Sequence, residues 1–313
     1  MNLHHNTQLF SQTLRAASQY LNIKLEFVEK DYWITSLLKR LSNSRYNNDS
    51  VFKGGTSLSK GYHLIDRFSE DLDLAIINTA NKSGNEIKKI TRFVEKEITN
   101  ELAEKREEGI TSKGSRFRKS VFEFPSIQNN INNNRLIVEI NSFANPFPYH
   151  KRKIQSMVFD FLDQTNNGGY IKEFRLYPFE VNVLNKEQTL LEKLVSLIRF
   201  SLDEEPISSI STKIRHFYDL YYLAKDEECI QSIKSESFKQ QFDILLEHDK
   251  ALFDEPLGWC NKEINESPLL NNFDSVWSKI NELYQSELSA LAYRPIPSEK
   301  EVAQTFKYLT GLI

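Results

Sequence analysis

One stretch constrains the fold of this chain more than any other: VFKGGTSLSKGYHLIDRFSEDLDLAI, from Val51 to Ile76. Its apolar start runs into Gly54-Gly55, two of only ten glycines in the chain. VFKGG predicts a short strand that ends in a tight turn. Thr56 or Ser57 is placed to cap a helix that runs to Leu64. DLDLAII then alternates, which puts Asp71 and Asp73 on one strand face and Leu72, Leu74 and Ile76 on the other. The predicted unit is strand, glycine turn, helix, strand.

Helical signal surrounds that unit. Leu14, Ala17, Tyr20 and Leu21 recur at helical spacing, and a second helix is predicted over Glu26–Leu41. Residues 86–108, rich in Glu and Lys, predict an exposed amphipathic helix. RFRKSVFEF (116–124) and RLIVEINSF (135–143) predict strands, with the Asn-rich QNNINNN (128–134) as a hairpin loop between them. GGYIKEFRLYPFEVNVL (168–184) adds strand signal. TLLEKLVSLIRF, STKIRHFYDLYYLAK and most of 226–313 predict helix. The pattern is α+β and bilobed. N-terminal helices and a sheet-bearing core occupy 1–184, and a largely helical lobe occupies 185–313.

Composition narrows the class. A hydrophobic fraction of 40% and an aromatic fraction of 12% over 313 residues suit a folded protein with a large core. No apolar run approaches the roughly 20 residues of a membrane span, and the N-terminus lacks a secretory pattern, so a cytoplasmic protein with no membrane partner is expected. Two cysteines, Cys229 and Cys260, are too few for a disulfide framework or a zinc site. The net charge of −3 argues against a dedicated nucleic-acid binder. Local basic clusters remain at Lys113, Arg116, Arg118 and Lys119, and at Lys151, Arg152 and Lys153.

The acidic strand suggests the chemistry. Asp71 and Asp73 repel each other, and a divalent cation relieves that repulsion. Mg²⁺, or Mn²⁺, suits hard carboxylate ligands shared with substrate phosphates. Glu139 shares its strand face with Arg135, Ile137 and Asn141. If that strand pairs beside Asp71–Ile76, three carboxylates converge and can hold two metal ions. Gly54 and Gly55 let a phosphate approach the backbone, Thr56 and Ser57 offer hydroxyls, and Lys60 and Arg67 offer positive charge. Downstream, Arg215 and Asp219 stand four apart on a predicted helix, the spacing of an ordinary intrahelical ion pair. Tyr218, Tyr221 and Tyr222 read as core aromatics.

Phe52-Lys-Gly-Gly-Thr-Ser-Leu followed by Arg67-Phe-Ser-Glu-Asp-Leu-Asp73 resembles the first two motifs of the AbiEii/AbiGii toxin family, of the nucleotidyltransferase (DNA polymerase β-like) superfamily. The resemblance takes in Val28-Glu-Lys-Asp-Tyr-Trp33 and two downstream helices, one with Glu192, Lys193 and Arg199, the other with Arg215-His-Phe-Tyr-Asp219-Leu. It covers about 28–224. It implies a polymerase-β-like, mixed-sheet nucleotidyltransferase core. It assigns Gly54, Gly55 and Ser57 to a phosphate-cradling turn and Asp71 and Asp73 to metal. Lys193 would meet the NTP triphosphate, Asp219 would be a second essential acid, and Arg215 would lie with the nucleotide. Glu139 is the third metal acid by strand position alone.

The expected reaction is transfer of NMP from an NTP to an acceptor hydroxyl. The family implies a toxin of a type IV toxin–antitoxin or abortive-infection system, with an antitoxin encoded nearby and the 3′ end of tRNA as acceptor. A protein or small-molecule acceptor is one alternative. A nucleotide-binding regulatory protein without turnover is the other.

Overall fold

A computed structural model describes residues 2–69, 71–78, 82–128, 134–144 and 146–313. Glu70 and residues 129–133, the middle of the expected Asn-rich loop, lie outside the described residues. The chain divides into two compact units. The first holds the residues up to His63 together with Phe68–Leu184, and the second holds Leu64–Arg67 together with Asn185–Ile313.

The first unit is built on a mixed sheet of eight strands: β1 (Ser50–Lys53), β2 (Asp71–Ile76), β3 (Ala103–Lys105), β4 (Ser112–Lys113), β5 (Phe117–Glu123), β6 (Arg135–Asn141), β7 (Tyr149–Ile154) and β8 (Phe179–Leu184). Their order is β3-β5-β6-β2-β1-β8-β7, with β4 pairing β5. β2 runs antiparallel to β1 and parallel to β6. Among the described residues, six α-helices accompany the sheet: α1 (Thr7–Leu21), α2 (Leu25–Asn43), α3 (Gly54–Lys60), α4 (Gly84–Ile98), α5 (Met157–Gln164) and α6 (Gly168–Phe174).

The reasons for these elements are local. Asn6 caps α1 by accepting the Leu9 N–H at 3.1 Å, and Phe10, Leu14 and Ala17 form its buried stripe. Tyr20, expected on that stripe, is exposed instead. Ser83 and Glu86 form a capping box for α4, which buries Ile87, Ile90, Val94 and Ile98. Along β2 and β6 the even-numbered residues Leu72, Leu74, Leu136, Val138 and Ile140 are buried. They join Trp33, Leu37 and Leu38 of α2 and Val94 and Ile98 of α4 in one core. One sheet face is therefore sealed by helices, and the odd-numbered residues belong to the other.

Three expectations change. The helix expected over 86–108 ends at Ile98, because 103–105 adds to the sheet edge beside β5. The helix after the glycine pair starts at Gly54 itself and stops at Lys60, so neither Thr56 nor Ser57 caps it. The expected strand over 168–184 splits into α6 and β8. Ile171 and Phe174, three apart and buried, give its first part a helical period, and Arg175 ends it in the left-handed conformation.

The second unit is helical: α7 (Lys186–Ser201), α8 (Pro206–Ser211), α9 (Arg215–Leu223), α10 (Glu227–Ile233), α11 (Phe238–Leu252), α12 (Pro268–Asn271), α13 (Phe273–Leu291) and α14 (Glu299–Thr310). Its core is aromatic, with the Phe217 ring 5.1 Å from Trp277 and 4.9 Å from Phe306. Leu64–Arg67 joins it through an antiparallel bridge between Arg67 and Ala292 and through the Tyr293 N–H, which donates to the Asp66 carbonyl at 3.0 Å. No helix among the described residues is long and apolar enough to cross a membrane.

Candidate functional site

The glycine turn is built around a carboxylate. Gly54 has φ +77°, a left-handed conformation, and a Cβ placed there would lie 2.2 Å from Oδ2 of Asp73. The position needs glycine twice over, once for its backbone and once for the space that Asp73 fills. The Thr56 hydroxyl donates to the Asp71 carbonyl at 2.6 Å, and the Ser57 hydroxyl donates to the Gly54 carbonyl at 2.8 Å. Both side chains are buried; Thr56 fastens the turn to β2, and Ser57 closes the turn on itself. Gly55 is buried as the second residue of α3.

Strand register places the acids. β6 pairs beside β2 with Asp73 opposite Glu139 and Asp71 opposite Ile137. Lys53 of β1 lies opposite Asp73, and Lys119 of β5 lies opposite Glu139. A row Lys53–Asp73–Glu139–Lys119 thus crosses four strands, with two carboxylates at its centre and a lysine at each end. Asp71 stands two residues along from Asp73 on the same face. Burial, then Glu139, then Asp71 push the Asp73 carboxyl well above the usual carboxylate range, against the pull of Lys53 and Lys119. Lys119 Nζ is 3.6 Å from Glu139 Oε2.

This donor set fits a hard divalent cation. Its donors are carboxylate oxygens that oppose one another's ionisation, a cost that a bound cation relieves, and the Gly54 turn leaves room for Asp73. The three carboxylates are not closed onto a common point. Among the described residues, the group whose ligand atoms all lie within 4.8 Å of one another is His4, His5 and Glu101.

Strand alternation also disperses the first basic cluster. Lys119 faces the acids, while the buried Arg118 turns to the helical side and donates through Nε to Glu95 of α4 at 2.8 Å. Lys113 pairs with Glu104, and Arg116 is exposed. On β7, Lys151 and Lys153 are exposed, and the Arg152 guanidinium lies 4.7 Å from the Tyr62 ring centre.

The remaining residues expected at the nucleotide fall into separate arrangements. Lys60 is buried and pairs with Asp31, and it also donates to the Gln155 carbonyl at 3.1 Å. Asp31 in turn accepts the Met157 N–H at 2.8 Å. Within the second unit, Asp219 is fully buried and accepts from Arg67 Nε at 2.8 Å and Nη2 at 2.7 Å. Lys193 Nζ lies 2.6 Å from it. Burial alone would raise the Asp219 pKa, but Arg67 and then Lys193 hold it well below the carboxylate range. His216 is kept neutral by burial and by Lys193 and Lys213, which push its pKa well below the usual value. Arg215 does not pair with Asp219 as their spacing suggests. Its guanidinium instead lies 3.2 Å from Glu287. Tyr218 and Tyr221 are buried, as core aromatics.

Lys53 and Asp31 stand within the sequence motifs and Lys119 within a basic cluster, but sequence reasoning placed none of the three at the site. Lys53 directly precedes the glycine pair, so its place in a strand offered some signal. The other two depend on register and on a helix 29 residues upstream of Lys60.

A family model for the nucleotidyl transferase AbiEii toxin of type IV toxin–antitoxin systems matches residues 36–303. The match leaves out Val28–Trp33 and runs through most of the C-terminal helices. Seven chains of solved structures match. One is MenT4, a nucleotidyltransferase toxin from Mycobacterium tuberculosis H37Rv. It is 17% identical with a TM-score of 0.58, and the alignment covers 95% of this chain and 89% of that one. At that identity the likeness is one of fold. No curated protein sequence matches the chain significantly.

Proposed function

The chain belongs to the AbiEii nucleotidyltransferase toxin family of type IV toxin–antitoxin systems, and we propose that it moves NMP from an NTP to an RNA 3′-hydroxyl, the end of tRNA being the preferred acceptor. Membership gives it an NTP substrate and an antitoxin as counterpart. The observation that carries the finer reading is the row of acids: Asp73 and Glu139 in register on neighbouring strands, with Asp71 on the same face.

Asp71, Asp73 and Glu139 would hold divalent metal, with Mg²⁺ as the natural choice for carboxylate and phosphate oxygens. When bound, the metal supplies charge neutralisation at the α-phosphate and lowers the pKa of the attacking hydroxyl. The acceptor oxygen forms a bond to the α-phosphorus as the bond to the β-phosphate oxygen breaks. Pyrophosphate leaves with the bonding electrons, and the hydroxyl proton passes to a carboxylate of the row. Gly54 keeps Asp73 in place, and Thr56 and Ser57 hold the turn rigid. Lys53 and Lys119 hold the outer ends of the row and limit the repulsion of the metal-free site. Within the second unit, Asp219 holds Lys193 in place, the residue that the family resemblance assigns to the triphosphate. Exposed Lys151 and Lys153 are the residues best placed to attract RNA.

A protein or small-molecule acceptor is the second reading. It is favoured by the net charge of −3 and by the inward turn of Arg118, which weakens any continuous basic surface. The test incubates the protein with Mg²⁺, each α-³²P-labelled NTP in turn, and total bacterial tRNA. Label on RNA, absent with Asp71→Asn/Asp73→Asn, supports the proposal. Label on protein moves the acceptor to a side chain.

A further inference from the structure

A cavity of about 230 Å³ opens in the first unit among α2, the end of α6 and the start of β8. Among the described residues, its walls carry Lys39, Arg40 and Arg175 and no acidic residue. Tyr177 and Phe179 supply aromatic surface. It lies among the helices whose core residues seal the even-numbered face of the sheet, away from the acids on the other face.

Three features mark it as built. Lys39 and Arg175 pair with no carboxylate among the described residues. The Lys39 ammonium instead donates to the Arg175 carbonyl and, at 3.4 Å, to the Tyr177 carbonyl, and it lies 5.7 Å from the Phe179 ring centre. Burial and then the nearby Arg175 lower the Lys39 pKa, so two positive charges are held together without an anion to offset them. Arg40 is partly neutralised by Glu101, which does not line the cavity. Finally, Arg175 occupies a left-handed position, φ 54°, at the end of α6, where glycine or asparagine is the usual residue. An arginine held at a position that favours glycine calls for a use of its side chain, and Arg175, although exposed, is one of the residues that line the cavity.

We infer that this cavity binds a small phosphate-bearing anion, with Lys39 and Arg175 as its principal contacts. The size suits inorganic phosphate, pyrophosphate or a compact phosphate monoester better than a whole NTP. The inference does not depend on the proposed reaction, since the acids on the opposite sheet face take no part in it.

The test is calorimetric titration of the full chain in EDTA, with phosphate, pyrophosphate and AMP as separate probes. Two variants accompany the wild type. Arg175→Gly removes the guanidinium and relaxes the backbone, and Lys39→Met keeps the stem packed on Phe179 without the charge. At least one probe is expected to bind at a single site and to weaken roughly tenfold or more in each variant, as for loss of a charge-assisted contact. The Tm of ligand-free Arg175→Gly is expected to hold or rise. Tightest binding of AMP adds an aromatic contact, and equal binding of all three assigns recognition to phosphate alone. Absence of binding by every probe, or affinities unchanged in both variants, overturns the inference.

Discussion

Replacing Gly54 by Ala tests whether the glycine turn exists to seat Asp73. The left-handed backbone at φ +77° costs an L-residue about 1–2 kcal/mol. The new Cβ would stand 2.2 Å from Asp73 Oδ2, whereas an ordinary carbon–oxygen contact is about 3.3 Å. The carboxylate must therefore retreat by about 1 Å, and a catalytic group misplaced by that distance costs about 100-fold in rate. Thermal unfolding is expected to fall by about 2–5 °C. Nucleotidyl transfer at saturating NTP is expected to fall by about two orders of magnitude while the circular dichroism spectrum stays that of the wild type. Wild-type turnover in a folded Gly54→Ala protein would refute the reasoning, because it would mean that the position of Asp73 does not govern the reaction.

Asp73→Asn should stabilise the metal-free protein, since burial, Glu139 and Asp71 all oppose ionisation of that carboxyl in the folded state. The native state holds this proton more tightly than the unfolded chain, so metal-free stability should fall as pH rises from the ordinary carboxylate range towards the raised value. Asp73→Asn should flatten that slope in urea titrations. Asp219→Ala leaves Arg67 and Lys193 buried without their acid and should cost about 3–5 kcal/mol by urea unfolding. The Asp219 pKa is depressed, so its contribution is present above the ordinary carboxylate pKa and lost as pH falls through the folded value. Acid unfolding of the helical unit should accordingly begin below about pH 4, followed by circular dichroism. Lys60→Met strands Asp31 and should cost about 3–5 kcal/mol. The KM for NTP of the protein that remains folded should stay near wild type, whereas a large rise in KM would return Lys60 to the phosphate.

Much of the sheet was legible because its signal is local. The alternation of Asp71–Ile76 and of Arg135–Asn141 fixes which residues share a face, and parallel pairing of these strands sets Asp73 opposite Glu139. The side chains that complete or avoid the site were hidden by distance in sequence. Lys60 stands beside the glycine turn, and nothing local reveals that Asp31 claims its charge. Arg215 and Asp219 have the spacing of a helical ion pair, but the buried Asp219 is taken by Arg67 and Lys193 from elsewhere in the chain, and Arg215 by Glu287. Residues 168–174 misled through their aromatics, which suit a strand and a short buried helix equally well. The role of Gly54 was read as room for a phosphate, whereas its nearest occupant is a carboxylate oxygen.

The central claim is that the row of acids makes this chain a metal-dependent nucleotidyltransferase. Its most direct test is pyrophosphate release from NTP in the presence of total tRNA, followed against Mg²⁺ concentration for wild type, Asp73→Asn and Glu139→Gln. Release that requires Mg²⁺, disappears in Asp73→Asn and needs markedly more Mg²⁺ in Glu139→Gln is the predicted result. Release that persists in EDTA, or that Asp73→Asn leaves intact, would contradict the claim.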